Sequence, residues 1–296
     1  MDESRLNGFD IALAGIDGVG KSTVSDALAT ELRERGYVVS VVSWRDYLNS
    51  GSSASGPTAL RATYIAMLQS LYSAAIGRDG GSVEHLMPSL EQDFFGTHDG
   101  PLAIDDPSGE IALDPQKSNL FLASGLLEAA ARMVERETVI APALARGEVV
   151  IQESHGLKTC LKLGLVAQHL NSGDAAANRV VEDYLAMVRR CLTEWSRPSL
   201  SVLVTGDPRL AYAWRKRQQG FIARGEHLDE NGHPAEWTFV ELQTRIQEQL
   251  VTTADTEGWP RVAMTDRPQN LNVTSAVQVV LDALADRGIL PVESVR

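Results

Sequence analysis

Residues 15–23, which read Gly-Ile-Asp-Gly-Val-Gly-Lys-Ser-Thr, constrain this chain more than any other stretch. They fit the pattern G-x-x-x-x-G-K-[ST], with Gly15, Gly20, Lys21 and Ser22 at the fixed places. A short apolar run precedes them and apolar residues at helical spacing follow, so the motif lies between a predicted strand and a predicted helix. Strand, glycine loop and helix is the context that a phosphate-binding loop requires.

The chemistry of such a loop follows from its backbone. Glycines allow the chain to curl so that successive N–H groups point inward at phosphate oxygens, next to the positive end of the following helix. We expect Lys21 to bridge the β- and γ-phosphates and the Ser22 hydroxyl to bind Mg²⁺. The predicted cofactors are therefore ATP and Mg²⁺, and the candidate cofactor-binding residues of the loop are Gly15, Asp17, Gly18, Val19, Gly20, Lys21, Ser22 and Thr23.

Composition argues against several classes of protein. With 296 residues, 44% of them hydrophobic, the chain is long enough to bury a sizeable core. A formal net charge of −12 argues against a broad nucleic-acid-binding face, which needs clustered Lys and Arg. The two cysteines, Cys160 and Cys191, are too few for a disulfide framework or a zinc site.

The sequence also favours a cytoplasmic location. Residues 1–7 are charged and lack an apolar targeting core, and no apolar run approaches the length that spans a bilayer. We therefore expect the partners to be a nucleotide donor and a small-molecule acceptor, with no nucleic acid and no membrane.

Strands alternate with helices along the chain, which predicts a doubly wound parallel sheet covered on both faces. The predicted strands are 11–14, 37–43, 148–153, 200–204 and 261–265. The predicted helices are one that ends at Gly36, then 58–76, 82–95, 117–137 continuing through 141–146, 178–193, one capped by Asp207 with Pro208 at its first position, 234–253, and a last one capped by Asn272. Residues 49–116 have no recognisable catalytic spacing, and we expect them to form a lid or an acceptor-side insertion in a single domain.

Polar residues follow two of these strands, at the end where open parallel sheets bind ligands. Arg45 and Asp46 come after the second strand and are candidate substrate-binding residues, with a solvated loop pair as the alternative. Glu153 ends the third strand, where a carboxylate can reach a metal ion or an acceptor. We expect Glu153 to act in catalysis, to bind the metal together with Ser22, and to contact the substrate.

A basic cluster interrupts this acidic chain after the fourth strand. It contains Arg215, Lys216, Arg217 and, after a Gln-Gln-Gly break, Arg224. A solvated basic face is the usual interpretation of such a run. The alternative is a lid over residues 212–232, because arginines that close on a transferring phosphoryl group stabilise the charge that develops there. We favour the lid and predict catalytic roles for Arg215 and Arg217 and cofactor binding by Arg224.

The order of these features resembles the thymidylate kinase family of P-loop nucleoside monophosphate kinases. The similarity is carried by residues 15–23, including Asp17, by Leu-Phe-Leu-Ala-Ser at 120–124, and by 141–151. It implies a five-stranded parallel sheet, ATP-dependent phosphorylation of dTMP or a related nucleotide, and a possible homodimer. It also implies that Asp17 lies near the acceptor sugar, that Phe121 stacks on the acceptor base, and that a loop with Val19 takes its catalytic arginine from the lid.

Two departures put the acceptor in doubt. The family has an arginine one helical turn after the stacking aromatic, where this chain has Gly125, and an Asp-Arg-Tyr or Asp-Arg-His sequence where this chain has Glu-Ser-His at 153–155. Losing two charge-assisted phosphate contacts, at roughly 1.5–3 kcal/mol each, weakens binding of a phosphomonoester by on the order of a hundredfold. Lys158, Arg45 and His155 are the candidate replacements.

Three functional hypotheses remain open. The first is a thymidylate-kinase-like enzyme. The second is a P-loop kinase of a modified nucleoside or another non-nucleotide acceptor; Glu-Ser at 153–154 is faintly similar to the Glu-Arg-Ser signature of deoxynucleoside kinases. The third is a relative that binds nucleotide and has lost phosphoryl transfer.

Overall fold

The computed structural model describes residues 8–44, 47, 58–77, 81, 111–228 and 235–290. The predicted helix at 82–95 and the candidate residues Arg45 and Asp46 lie outside these ranges. Within them, no helix has both the length and the apolar character needed to cross a bilayer.

The centre of the fold is a five-stranded sheet in which every pair of neighbouring strands is parallel, in the order β2-β5-β1-β6-β7. A separate antiparallel ribbon pairs β3 with β4. The strands are β1 (Phe9–Ala14), β2 (Val39–Val42), β3 (Ala75–Gly77), β4 (Ile111–Leu113), β5 (Val149–Gln152), β6 (Leu200–Gly206) and β7 (Arg261–Met264).

Helices flank this sheet, so the predicted fold class is confirmed. They are α1 (Lys21–Glu34), α2 (Thr58–Ser73), α3 (Asn119–Glu135), α4 (Ala141–Ala145), α5 (Gly156–Leu170), α6 (Ala175–Arg190), α7 (Pro208–Gln219), α8 (Glu236–Glu257) and α9 (Gln269–Asp286). π-Helical turns join α3 to α4 and extend α6, and short 3₁₀ turns occupy Pro115–Lys117 and Arg224–Glu226.

The sequence missed helix α5 and strands β3 and β4, and it misplaced the ends of other helices. Helix α5 was not predicted at all, although it directly follows β5. The helix expected over 58–76 ends at Ser73, because the chain then enters β3 and pairs with β4. The expected cap at Asn272 is wrong, since α9 begins at Gln269; the Asn272 amide instead donates to the carbonyl of Thr265 at 2.8 Å and braces the loop after β7.

The core forms around β1, all six residues of which are buried. Ile11 and Leu13 are fully enclosed, as expected of a central strand with parallel neighbours on both sides. A second apolar cluster lies between α2 and α3, where Tyr64 and Tyr47 stack with ring centroids 6.1 Å apart. The order of strands brings the loops after β1, β5, β6 and β7 to one edge of the sheet.

A buried carboxylate also stabilises the central strand. Asp10 on β1 accepts hydrogen bonds from Arg136 Nη1 at 2.6 Å, from Gln152 Nε2 at 2.9 Å, and from the backbone N–H and hydroxyl of Ser199 at 3.0 and 2.8 Å. It thereby joins β1 to β5, to the segment before β6 and to the π-helical turn. Such a group is tolerated in a strand interior because each partner offsets part of its desolvation.

We expect Asp10→Ala to lower the free energy of unfolding by about 3 kcal/mol, because it leaves the Arg136 guanidinium without its carboxylate. Urea unfolding followed by circular dichroism measures this. The matched control is Asp255→Ala, which removes an ion pair with Arg261 whose aspartate is 67% exposed and should change stability by no more than about 0.5 kcal/mol. Equal effects of the two variants would contradict the structural role of Asp10.

Candidate functional site

The loop between β1 and α1 has a shape that only glycine permits at three positions. Gly15, Gly18 and Gly20 have φ angles of 152°, 76° and 94°. A Cβ at Gly15 would lie 2.4 Å from the carbonyl oxygen of Val204, and one at Gly18 would lie 2.5 Å from the carbonyl oxygen of Ala211. The loop is therefore pressed against β6 and α7, and its curvature is set by backbone contacts that leave no room for side chains.

Lys21 stands at the start of α1 and folds back over the loop. Its Nζ donates to the carbonyl oxygens of Gly15 at 3.0 Å and Ile16 at 2.7 Å. Burial, together with the charge of Lys158, lowers the pKa of Lys21 to about 7, although Asp17 partly opposes this shift. In the described part of the chain the hydrogen bonds of Lys21 go to carbonyl oxygens, so a bound anion would be its first direct ionic partner.

A cavity of about 720 Å³ opens above this loop. It lies at the edge of the sheet where β1, β5 and β7 end, and it brings together most of the residues predicted from the sequence. The predicted residues that line it are Asp17, Gly18, Val19, Gly20, Lys21, Ser22, Thr23, Phe121, Glu153, Lys158, Arg215 and Arg217.

Among the described predicted residues, His155 and Gly15 do not line the cavity. His155 is buried below it: its Nδ1 accepts a hydrogen bond from the N–H of Leu157 at 3.2 Å, which caps α5, and its ring packs on Trp259 with centroids 5.1 Å apart. Burial and the nearby Arg132 lower the pKa of His155 to about 3. This capping imidazole lies outside the cavity, so the structure does not support the prediction that His155 binds substrate.

Two other predictions concern backbone or undescribed side chains. Gly15 shapes the loop from below and does not line the cavity. Arg224 begins the 3₁₀ turn after α7, and its side chain lies outside the described part of the chain.

Asp17 has more partners than its predicted role near an acceptor sugar suggests. Its carboxylate accepts from Lys158 Nζ at 2.6 Å and from Gln243 Nε2 at 3.3 Å, and it lies 3.5 Å from Lys162 Nζ. Burial alone would raise the pKa of this carboxyl, but Lys158, Lys162 and then Lys21 outweigh burial and hold the pKa well below its usual range. Asp17 is a permanent anion that organises the surrounding lysines.

Gln243 on α8 connects three parts of the site, and the sequence did not identify it. Its Oε1 accepts from the Asp17 N–H at 2.9 Å, while its Nε2 donates to the Asp17 carboxylate and, at 3.1 Å, to the Glu226 carbonyl. The available signal in the sequence was an amide at helical spacing with the apolar positions of a long helix. In the structure this amide is fully buried, so it must find hydrogen-bond partners. Sequence spacing could not say that those partners are the glycine loop and the segment after α7.

An ion pair joins two parts of the predicted lid region, helix α7 and the 3₁₀ turn that follows it. Helix α7 begins with Asp207 capping the Arg209 N–H at 2.8 Å and ends at Gly220, which has a φ of 81°. Arg215 on α7 donates through Nε to Glu226 Oε2 at 3.1 Å and through Nη2 to Glu226 Oε1. The guanidinium therefore faces the cavity while already bound to a carboxylate.

The opposite end of the cavity is apolar with one charged patch. Phe121 is buried in its wall beside side chains from α2, β4 and α5; these are Met67, Leu68, Leu71, Leu113, Leu163 and Val166. The charged patch is Arg132 on α3, which donates to Glu128 at 2.9 Å and to Glu135 at 2.9 Å. Neither Arg132 nor Glu128 was predicted, because both fall on a helix whose apolar spacing suggested only packing.

The structure explains why Gly125 is not an arginine. A Cβ at this position would lie 1.7 Å from the hydroxyl oxygen of Tyr184, which donates to the carbonyl of Cys160 at 2.9 Å. Helices α3, α5 and α6 therefore meet at this position. Any side chain at residue 125 requires the Tyr184 side chain to shift.

Comparison with known proteins gives distant likenesses among solved structures. The sequence matches no family model and no curated protein. Among solved structures, the chain is similar to the deoxyadenosine kinase from M. mycoides with bound dCTP, at 12% identity and a TM-score of 0.44, over 94% of this chain and 99% of that one. A likeness at this level assigns no activity and no residue role to this chain.

We expect Gly125→Ala to destabilise the protein by about 1–3 kcal/mol, because the added methyl overpacks the contact with Tyr184. Thermal unfolding followed by circular dichroism measures this. Ala130→Leu is the control: it enlarges an exposed side chain of the same helix and should alter stability by less than about 0.5 kcal/mol. A Gly125→Ala protein as stable as the wild type would show that this helix contact is looser than described.

Proposed function

We propose that this protein is a P-loop kinase that transfers the γ-phosphoryl group of ATP to an oxygen of a small acceptor of the nucleoside or nucleotide class. The single observation that carries the proposal is the loop of residues 15–23, which opens with its lysine onto one end of a large cavity. The other end of that cavity is apolar and contains Phe121. A polyanion site and a site for a flat, apolar group thus share one enclosure.

The residues present fit a triphosphate with magnesium. Gly15, Gly18 and Gly20 give the loop its curvature, because a Cβ at the first two would meet the backbone of β6 and α7, and Lys21 donates to two carbonyl oxygens of the loop. The described residues contain no group of three or more His, Cys, Asp or Glu side chains placed to hold a metal. Magnesium in phosphoryl-transfer sites is commonly bound by one or two protein groups and the substrate phosphates, and Ser22 and Glu153 are the candidates here.

Each part of the site has a role in this proposal. ATP supplies the phosphoryl group, and Mg²⁺ neutralises phosphate charge. Lys21 and the loop N–H groups bind the β- and γ-phosphates, and Arg215 and Arg217 stabilise the charge that develops on the transferring group. Phe121 packs against the acceptor. No covalent nucleophile is required, because such transfer depends on positioning and electrostatics.

The proposal also concerns the chemical identity of the acceptor, for which there are two candidates. A nucleoside monophosphate such as dTMP is the first candidate, from the resemblance of residues 15–23, 120–124 and 141–151 to the thymidylate kinase family. A nucleoside or another uncharged acceptor is the second, and the observation that favours it is the exclusion of any side chain at Gly125 by Tyr184. The cytoplasmic location, the homodimer and the single domain stay predictions.

We expect Lys21→Ala to abolish turnover, a loss of at least about a hundredfold, because it removes the cation at the end of the loop. A coupled assay for ADP release with a panel of deoxynucleosides and their monophosphates measures this. Lys117→Ala, which removes a half-exposed lysine away from the cavity, is the control and should keep full activity. Full turnover by Lys21→Ala would contradict the assignment of the donor site.

A second prediction concerns pH. Because the pKa of Lys21 is about 7 in the free protein, this amine is mostly neutral at pH 8.5, and a bound triphosphate must recharge it. The affinity for an ATP analogue should therefore fall with rising pH, approaching about tenfold per pH unit between pH 7.5 and 9.

Isothermal titration calorimetry in buffers of different ionisation enthalpy measures the proton taken up on binding. Lys21→Arg, whose guanidinium stays charged throughout this range, is the control and should bind without proton uptake. Binding of the analogue by the wild-type protein with no proton uptake at pH 8.5 would contradict the lowered pKa.

A further inference from the structure

We infer that Lys158 and Lys162 form a second anion subsite, which binds an oxyanion carried by the acceptor itself. This rests on the proposed kinase function and narrows its acceptor to small molecules with a phosphomonoester or a carboxylate group.

The two lysines are placed as a pair by helix α5. They lie four residues apart, so both side chains project from the same face of the helix, one turn from each other. Both line the cavity, and their side chains are only 11% and 16% exposed. Ordinary surface lysines are far more solvated, so this placement needs a reason.

One carboxylate serves both ammonium groups. Asp17 lies 2.6 Å from Lys158 Nζ through Oδ1 and 3.5 Å from Lys162 Nζ through Oδ2. Its third partner, Gln243, is neutral. Among the described residues Asp17 is the only ionic partner of Lys162, so two amines share one carboxylate in a poorly solvated place.

Two of the other carboxylates of the cavity already have arginine partners, although Glu226 also lies close enough to Lys158 to oppose, in part, the lowering by burial of the pKa of that amine. Glu226 is bound by Arg215, and Glu128 is bound by Arg132. Basic groups outnumber acidic ones in the described lining, although the whole chain has a net charge of −12. The basic lining residues are Lys21, Arg132, Lys158, Lys162, Arg215, Arg217 and Arg267, and the acidic ones are Asp17, Glu128, Glu153, Glu226 and Asp266.

The position of the pair fits an acceptor group close to the transfer point. Lys158 and Lys162 face Asp17 of the glycine loop, and a Cβ built on Gly225, in the 3₁₀ turn after α7, would lie 3.7 Å from Lys162 Nζ. The pair therefore lies between the loop, α5 and the segment that follows α7. Gly125 and Ser154 stand where the thymidylate kinase family has arginines that bind the acceptor phosphate. In this proposal the two lysines of α5 take the place of those arginines.

The test compares binding of matched ligands that differ by one charged group. Protein saturated with the ATP analogue AMP-PNP and Mg²⁺ is titrated calorimetrically with four deoxynucleosides, with their 5′-monophosphates and with thymidine 5′-carboxylate. At least one of the charged ligands should bind about tenfold or more tightly than its neutral nucleoside. Comparison of the monophosphates with the carboxylate then shows which of the two oxyanions the subsite binds.

Lys162→Gln should remove this advantage, Lys162→Arg should retain it, and Lys117→Gln should leave it unchanged. The affinity for AMP-PNP should stay within about threefold of the wild type in all three variants, since Lys162 is assigned to the acceptor. Thermal unfolding checks that each variant is folded.

Three results would overturn the inference. They are equal binding of charged and neutral ligands by the wild type, an undiminished advantage in Lys162→Gln, and loss of AMP-PNP binding in Lys162→Gln, which would assign Lys162 to the donor. If AMP-PNP failed to bind the wild-type protein, the kinase proposal itself would be wrong. Titration of the same ligands without AMP-PNP would then test the subsite independently.

Discussion

The close approach of the glycine loop to the strand and helix beside it is the constraint on which the site depends. Gly15 lies against the backbone of β6, and Gly18 lies against the backbone of α7. These contacts leave the loop one path between β1 and α1. That path sets where Lys21 begins its helix, and therefore where a polyanion can be held relative to the rest of the cavity.

A network of buried polar groups ties the other functional elements to this loop. Asp17 receives bonds from Lys158 on α5 and Gln243 on α8, and Gln243 also bonds the backbone of Glu226. Helices distant in sequence thus converge on one carboxylate. Because each member is buried, the loss of one leaves a buried polar group of another with fewer partners, so the network fixes the geometry of the site as well as its charge.

The sequence predicted the elements whose signal is local. The loop at 15–23 and the alternation of strands and helices depend on spacing along the chain, and both are confirmed in the described residues. The partners of Gln243, the Lys158–Lys162 pair and the obstruction at Gly125 depend on helices that meet only after folding. His155 shows the opposite error. Its position after a strand suggested that it contacts the substrate, whereas in the structure its side chain caps a helix.

The guanidinium of Arg215 is already paired with the carboxylate of Glu226 before any ligand binds. In the proposed function, a phosphate that draws on this guanidinium shares it with a carboxylate from the same chain, because Glu226 accepts from its Nε and Nη2. Glu226 is almost wholly enclosed, so it depends on Arg215 to offset its desolvation. The carboxylate thus keeps the arginine oriented for a second anion.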